Sequence, residues 1–204
     1  MERPAHLPDT FLRQLAALEE AYLRRTDPIE QSGFYGGPER WRAEREPILE
    51  AVTADGAFLD AGCANGYLLE CLVRWGRERG VALTPYGLDQ GAGLIELARR
   101  RQPHLAAHFF VGNAWDWTPP RQFRYVYTLL DQVPPDYLTA YLHRLFARTV
   151  APGGRLIVGD YGSRSRCRGA AAVGRLRGRG GRARRDARRS ALRLGRARSL
   201  MAAG

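Results

Sequence analysis

The chain has 204 residues, 45% of them hydrophobic, and a formal net charge of +11, which suits one domain with a sizeable core. No apolar run approaches the ~18 to 20 residues that cross a bilayer, and the opening MERPAHLPDTF lacks the charged-then-apolar layout of a signal peptide. Cys63, Cys71 and Cys167 cannot all pair with one another and show no CxxC spacing, so no metal is expected, and a cytoplasmic location is.

The charge is unevenly placed. Up to Tyr161 there are 18 Arg against 20 Asp and Glu, a net of −2; from Gly162 onward there are 14 Arg and one acid, Asp186, a net of +13. The body is mildly acidic and only the tail is basic. A large nucleic-acid ligand is therefore not expected on the body, because phosphate binding needs a basic face.

In chain order, residues 1–50 form an N-terminal helical segment. DTFLRQLAALEEAYLRR (9–25) has apolar residues at helical spacing, with Asp9 or Thr10 as a cap. SGFYGGPER (32–40) is a turn-rich break, and WRAEREPILEAV predicts a helix bent or restarted at Pro47. The body, residues 51–161, begins with a short buried strand, AFLD (57–60). GYLLECLVRWGRERG (66–80) follows as an amphipathic helix stopping at Gly80. TPYGLD (84–89) is a second strand and GLIELARRR (93–101) a second helix. AHFFVGN (107–113) and FRYVYTLL (123–130) are the third and fourth strands. PDYLTAYLHRLFARTVAPGG (135–154) is a helix closing on a Gly turn, and RLIVGD (155–160) is the fifth strand. This alternation predicts an α/β fold, a parallel sheet with helices on both faces. Ligands of such folds bind beyond the carboxyl ends of the strands, which are Asp60, Asp89, Asn113, Leu130 to Gln132, and Asp160.

The stretch FLDAGCANG (58–66) carries the chemistry. Read as a dinucleotide fingerprint, G-x-G-x-x-G, it fails, with Ala64 and Tyr67 at the second and third Gly positions. The chain has no Lys for a Walker loop, and Asp60 would repel a pyrophosphate. A cofactor with an amino group, a sulfonium and no phosphate would welcome that acid instead.

DAGCANG (60–66), followed by GLDQ, GNAWDW and APGGRLIVGD, resembles the class I methyltransferases dependent on S-adenosyl-L-methionine (SAM), over roughly residues 30–161. Their first motif, D/E-x-G-x-G-x-G, is matched at Asp60, Gly62 and Gly66, with Ala64 at the middle Gly. The resemblance implies a Rossmann-like fold and a site built from Asp60, Gly62, Cys63, Gly66, Asp89, Gln90, Asn113, Ala114, Trp115 and Leu130. Asp60 would neutralise the amino end of SAM, directly or through water, and Asp89 would accept both ribose hydroxyls. Asn113 with Ala114 would meet the adenine edge. Trp115 could cover the adenine face or be a core aromatic, and Cys63 is read as a small residue in a tight loop.

Methyl transfer from a sulfonium is an in-line displacement that draws on alignment and desolvation, so no catalytic dyad is required. Where the acceptor must lose a proton, Asp131 and Tyr35 are the candidate bases. Phe34, Tyr35 and Trp41 suit either a lid over the site or a hydrophobic staple onto the sheet. LLDQVPPDY (129–137) is similar to the Asn/Asp-Pro-Pro-Tyr box of amino methyltransferases. Here Val133 precedes the prolines and Asp136 separates them from the Tyr, so the stretch reads as a turn opening a helix. The acceptor is expected to be a small molecule. The alternatives are a nicotinamide-dependent oxidoreductase and a nucleic-acid-binding protein acting through its tail.

The tail, residues 162–204, is expected to be disordered. It has no aromatic, no Ile and one Val, a poor supply for buried strands. The family fold adds two strands after the fifth, and the composition predicts that both are missing here, leaving the fifth strand as an edge. Out-of-frame reading of GC-rich DNA yields such an Arg, Gly and Ala mixture, so a frameshift near residues 163–168 is expected. A basic arm for nucleic acid is the rival reading.

Overall fold

The computed structural model describes residues 6–160 and the backbone of 168–173. Helix α1 (Asp9–Leu23) and helix α2 (Gly37–Arg45) precede a 3-10 segment, Glu46–Ala51, that starts at the expected Pro47 break. The alternating body follows as β1 (Gly56–Ala61), α3 (Tyr67–Glu78), β2 (Leu83–Asp89), α4 (Ala92–Arg101), β3 (Phe109–Val111), β4 (Phe123–Leu129), α5 (Leu138–Thr149) and β5 (Val150–Asp160).

The five strands form a parallel sheet in the order β3-β2-β1-β4-β5. Strand order reverses between β1 and β4, the switch point where α/β sheets place their ligands. The register brings Ala61 level with Leu88 and Thr128, and Asp89 level with Val111. The polar strand ends therefore share one rim.

Two cores sandwich the sheet. On one face α3 buries Leu68, Leu69, Cys71, Leu72 and Trp75, the stripe its 3.6-residue period dictates, against Phe58 and Tyr125. On the other, Tyr141 and Leu145 of α5 pack with Leu59, Leu88 and Val126. Phe34 and Trp41 are 4% and 3% exposed in the first core, so of the two open roles they take the staple. Trp41 stacks on Tyr67, with ring centroids 5.6 Å apart. Among the described residues, no helix is long and apolar enough to cross a membrane.

Three boundaries differ from expectation. The third strand covers 109–111 only, because Pro103–His108 takes a 3-10 path before it. The 135–154 helix stops at Thr149, and Val150 already pairs with Phe123 across a bulge before the regular ladder from Arg155. The third correction concerns the tail. A sixth strand, β6 (Arg168–Val173), runs antiparallel to β5, pairing Leu156 with Val173 and Val158 with Ala171. β5 is therefore not a bare edge. Ladder bonds use backbone N–H and C=O groups, which RGAAAV offers as well as an Ile-rich run does; composition misled because it measures side-chain burial. The expectations for the rest of 162–204, including disorder, lie outside the described residues.

Candidate active site

The loop after β1 is wound tightly around left-handed residues. Gly62 has φ +99°, and a Cβ there would stand 2.6 Å from the Gln132 side chain, so only Gly fits. Gly66, at φ +72°, is the residue just before α3. Between them Ala64 also has positive φ, +46°, the only non-Gly residue to do so among the described residues. The loop hangs from β2, with the N–H groups of Gly62 and Cys63 donating to the Leu88 carbonyl at 2.8 and 3.0 Å. Asn65, fully buried, ties it to the N-terminal segment by donating to the Pro28 carbonyl at 3.0 Å. Cys63 is 3% exposed against Gly87, and burial pushes its thiol up.

Asp89 organises the cleft above this loop. One carboxylate oxygen accepts the Ala64 N–H at 2.8 Å and the other accepts the Gly91 N–H at 2.8 Å. Burial raises its pKa, opposed by those two hydrogen bonds, while the charge of Glu19 adds to the rise. The Gln90 N–H also acts on it, and as a carboxylate has about four acceptor positions, room remains for a further donor. Next to it, Gln90 accepts from the Asn113 amide at 2.8 Å, and Asn113 Oδ1 accepts the Trp115 N–H at 2.9 Å. These bonds hold Asn113 and Ala114 in the lining of the cleft that Gly62 and Ala64 also line.

Asp60 lies deeper. It is 2% exposed and does not line the cleft. Burial raises its carboxyl to about 7; Asp89 adds to the rise and Arg45 opposes it. Trp115 is likewise 2% exposed, in the core rather than on the cleft wall. Its ring meets Tyr137 edge-on at 5.4 Å and carries the Arg144 guanidinium 4.6 Å above it. Of the two roles left open for Trp115, this is the core one.

The N-terminal helix closes the cleft, an arrangement with no local sequence signal. Leu15, Leu18, Glu19 and Tyr22 of α1 all line it. Glu19 Oε1 accepts the Gly93 N–H at 2.8 Å, capping the first turn of α4 and latching α1 across the opening. With α1 in place the cleft holds about 230 Å³, below the ~300 to 1,000 Å³ common for small-molecule sites.

The family model of a methyltransferase domain matches residues 58–154. The match runs from within β1 to the bulge in β5, so it contains the loop after β1, Asp89 and Asn113 but neither α1 nor the Pro28 and Arg45 segments. Over these residues the chain is similar to a methyltransferase domain. Among solved structures the chain is similar to a DhpI complex with SAM and HEP, at 24% identity and TM-score 0.53, over 78% of this chain and 68% of that one. It is also similar to phosphoethanolamine N-methyltransferase 1 of Haemonchus contortus, at 14% identity and TM-score 0.62. That alignment covers 78% of this chain but 34% of the worm protein; at such identities the likeness concerns the fold. A comparison with curated proteins gave no match.

Around this cleft the two candidate bases separate. Tyr35 is 52% exposed, under the Arg25 guanidinium, and lines neither cavity of the site. Tyr22 lines the cleft, its hydroxyl raised by burial and by the charges of Asp131, Tyr35 and Asp89. Asp131 lies on the shared wall between the cleft and a second cavity of about 650 Å³. Burial raises its carboxyl, and Asp160 adds to this, whereas its hydrogen bonds and Arg45 oppose it. Leu130 faces the second cavity only. Arg45, missed by sequence reasoning as one Arg among many, is 4% exposed between Phe34 and Trp41 and acts on both Asp60 and Asp131.

Proposed function

We propose that this chain binds SAM in the cleft lined by Gly62, Asp89, Asn113 and Ala114 and transfers its methyl group to a small-molecule acceptor. The observation that carries the reading is the Asp89 carboxylate, which lines the cleft, holds the Ala64 and Gly91 N–H groups and keeps capacity for a further donor. A ribose hydroxyl supplies such a donor. The Gly62 surface offers the close backbone approach that a methionyl chain needs.

When bound, SAM supplies a methyl group made electrophilic by its sulfonium. The chain's own part is to bind, orient and exclude water. Gly62 and Ala64 shape the floor, and Asn113 and Ala114 meet the adenine edge. Asp60 beneath the loop answers the ligand's positive end through water. Asp131, at the junction of the two cavities, takes the proton that an acceptor must lose. Alignment of this kind is worth several orders of magnitude in rate.

The body's net charge of −2 speaks for a small acceptor over a nucleic acid. The buried acid Asp60 and the broken fingerprint speak against a nicotinamide dinucleotide. The buried free thiols Cys63 and Cys71 suit a reducing cytoplasm. Calorimetric titration with SAM, its demethylated product S-adenosylhomocysteine (SAH), and NADH tests the reading. Binding of SAM and SAH with no response to NADH is expected; binding of NADH alone would overturn it.

A further inference from the structure

Most of the wall of the second cavity is apolar, and its charge is of one sign. It runs between the start of α1 and the 130–138 segment, with Phe11, Leu130, Val133 and Leu138 as walls and the acids Asp131 and Asp160 at its polar end. None of the described residues lining it is cationic. About 650 Å³ is ample for a single ring bearing a short side chain. Asp131 belongs to both this cavity and the cofactor cleft, so a group held against its carboxylate stands where the two ligands meet.

We infer that the second cavity is the methyl-acceptor site and that the acceptor is an apolar amine, its nitrogen held between Asp131 and Asp160. This rests on the SAM reading above. The walls reward apolar surface, and the two carboxylates favour a cationic head group and repel an anionic one. Arg45 acts on Asp131 from outside the cavity lining, so it tempers the negative field without offering an anion a contact. The reaction balances with SAM as the only co-reactant. The ammonium first gives a proton to the Asp131 carboxylate. The freed nitrogen pair then forms the N–C bond as the S–C bond breaks, its electrons staying on sulfur to leave neutral SAH. The N-methyl ammonium departs, and the Asp131 proton passes to water.

The test uses the full chain saturated with SAH, whose own binding is measured first. Three probes of one size and different charge are then titrated: 2-phenylethylamine, 2-phenylethanol and phenylacetate. The amine is expected to bind at least about tenfold tighter than phenylacetate, a gap of about 1.4 kcal/mol, with the alcohol between them. Asp160→Asn, an exposed change at the end of β5, should shrink that gap severalfold. Leu138→Trp should abolish amine binding and spare SAH. Phenylacetate binding as tightly as the amine, an unchanged gap in Asp160→Asn, or no amine binding to the SAH-loaded chain overturns the acceptor class. Failure of SAH itself to bind overturns the cofactor reading, and this inference with it.

Discussion

The backbone N–H of Ala64 donates to the Asp89 carboxylate at 2.8 Å while Ala64 itself holds φ at +46°. The end of β2 thus helps hold the loop after β1 in a conformation that residues with a side chain avoid. The carboxylate expected to serve a ligand also serves the loop that cradles it.

Replacing Ala64 with Gly should relieve that strain. Left-handed backbone costs an L-residue roughly 1 to 2 kcal/mol, and the extra freedom of Gly in the unfolded chain returns about 0.4 to 1 kcal/mol. Urea denaturation should therefore show stability unchanged or raised by up to about 1.6 kcal/mol. A clear loss would mean that the loop does not adopt this conformation.

Asp89→Ala removes the proposed ribose acceptor and also strands the Ala64 and Gly91 N–H groups. SAM affinity should fall by about 1.5 to 3 kcal/mol in calorimetry, the range for hydrogen bonds to a charged group. Normal affinity in this variant would remove the main support for the cofactor assignment.

Asp60 couples stability to pH. Its ordinary value is 3.8, and burial with Asp89 raises it to about 7 in the folded chain. Between those values the native state keeps a proton that the unfolded chain has lost, so this contribution is full below about pH 4 and fades as pH rises through 7. Asp60→Asn should flatten that slope in ligand-free urea titrations, fold normally and bind SAM more weakly. A slope of the same size in the variant assigns the effect to another acid.

Glu19→Ala should free α1 from the first turn of α4. Loss of a capping carboxylate costs about 0.5 to 2 kcal/mol, and here it should act locally, because no residue of α1 is buried. Hydrogen exchange in residues 9–23 should speed up, and SAH should dissociate faster. Unchanged exchange would show that α1 is held by something other than this latch.

Trp115 separates packing from stacking. Trp115→Ala should destabilise the fold by about 3 to 5 kcal/mol, as large core truncations do, while the folded fraction keeps its SAH affinity. The reverse pattern, a stable protein that binds SAH poorly, would return Trp115 to the adenine face.

The alternating hydrophobic runs were enough to predict the layered α/β fold and the strand order's ligand rim, because period-2 and period-3.6 patterns are local properties of side chains. The first motif was legible for a similar reason: Gly62 and Gly66 mark backbone conformations that few other residues tolerate. What the sequence could not decide was which residues of distant segments meet. Glu19 reaches Gly93 across 74 residues, and Tyr22 faces Asp89 and Asp131, yet both look like ordinary positions on an amphipathic helix. Trp115 and Trp117 of GNAWDW carry the same local signal, and only packing buries Trp115 fully while Trp117 stays at the core's margin. Composition determined that the tail is basic and poor in core formers; β6 formed there regardless, because strand pairing is a backbone bond between segments. Local conformational preference was written in the residues, whereas the cleft, its latch and the cavity beside it arise from long-range contacts.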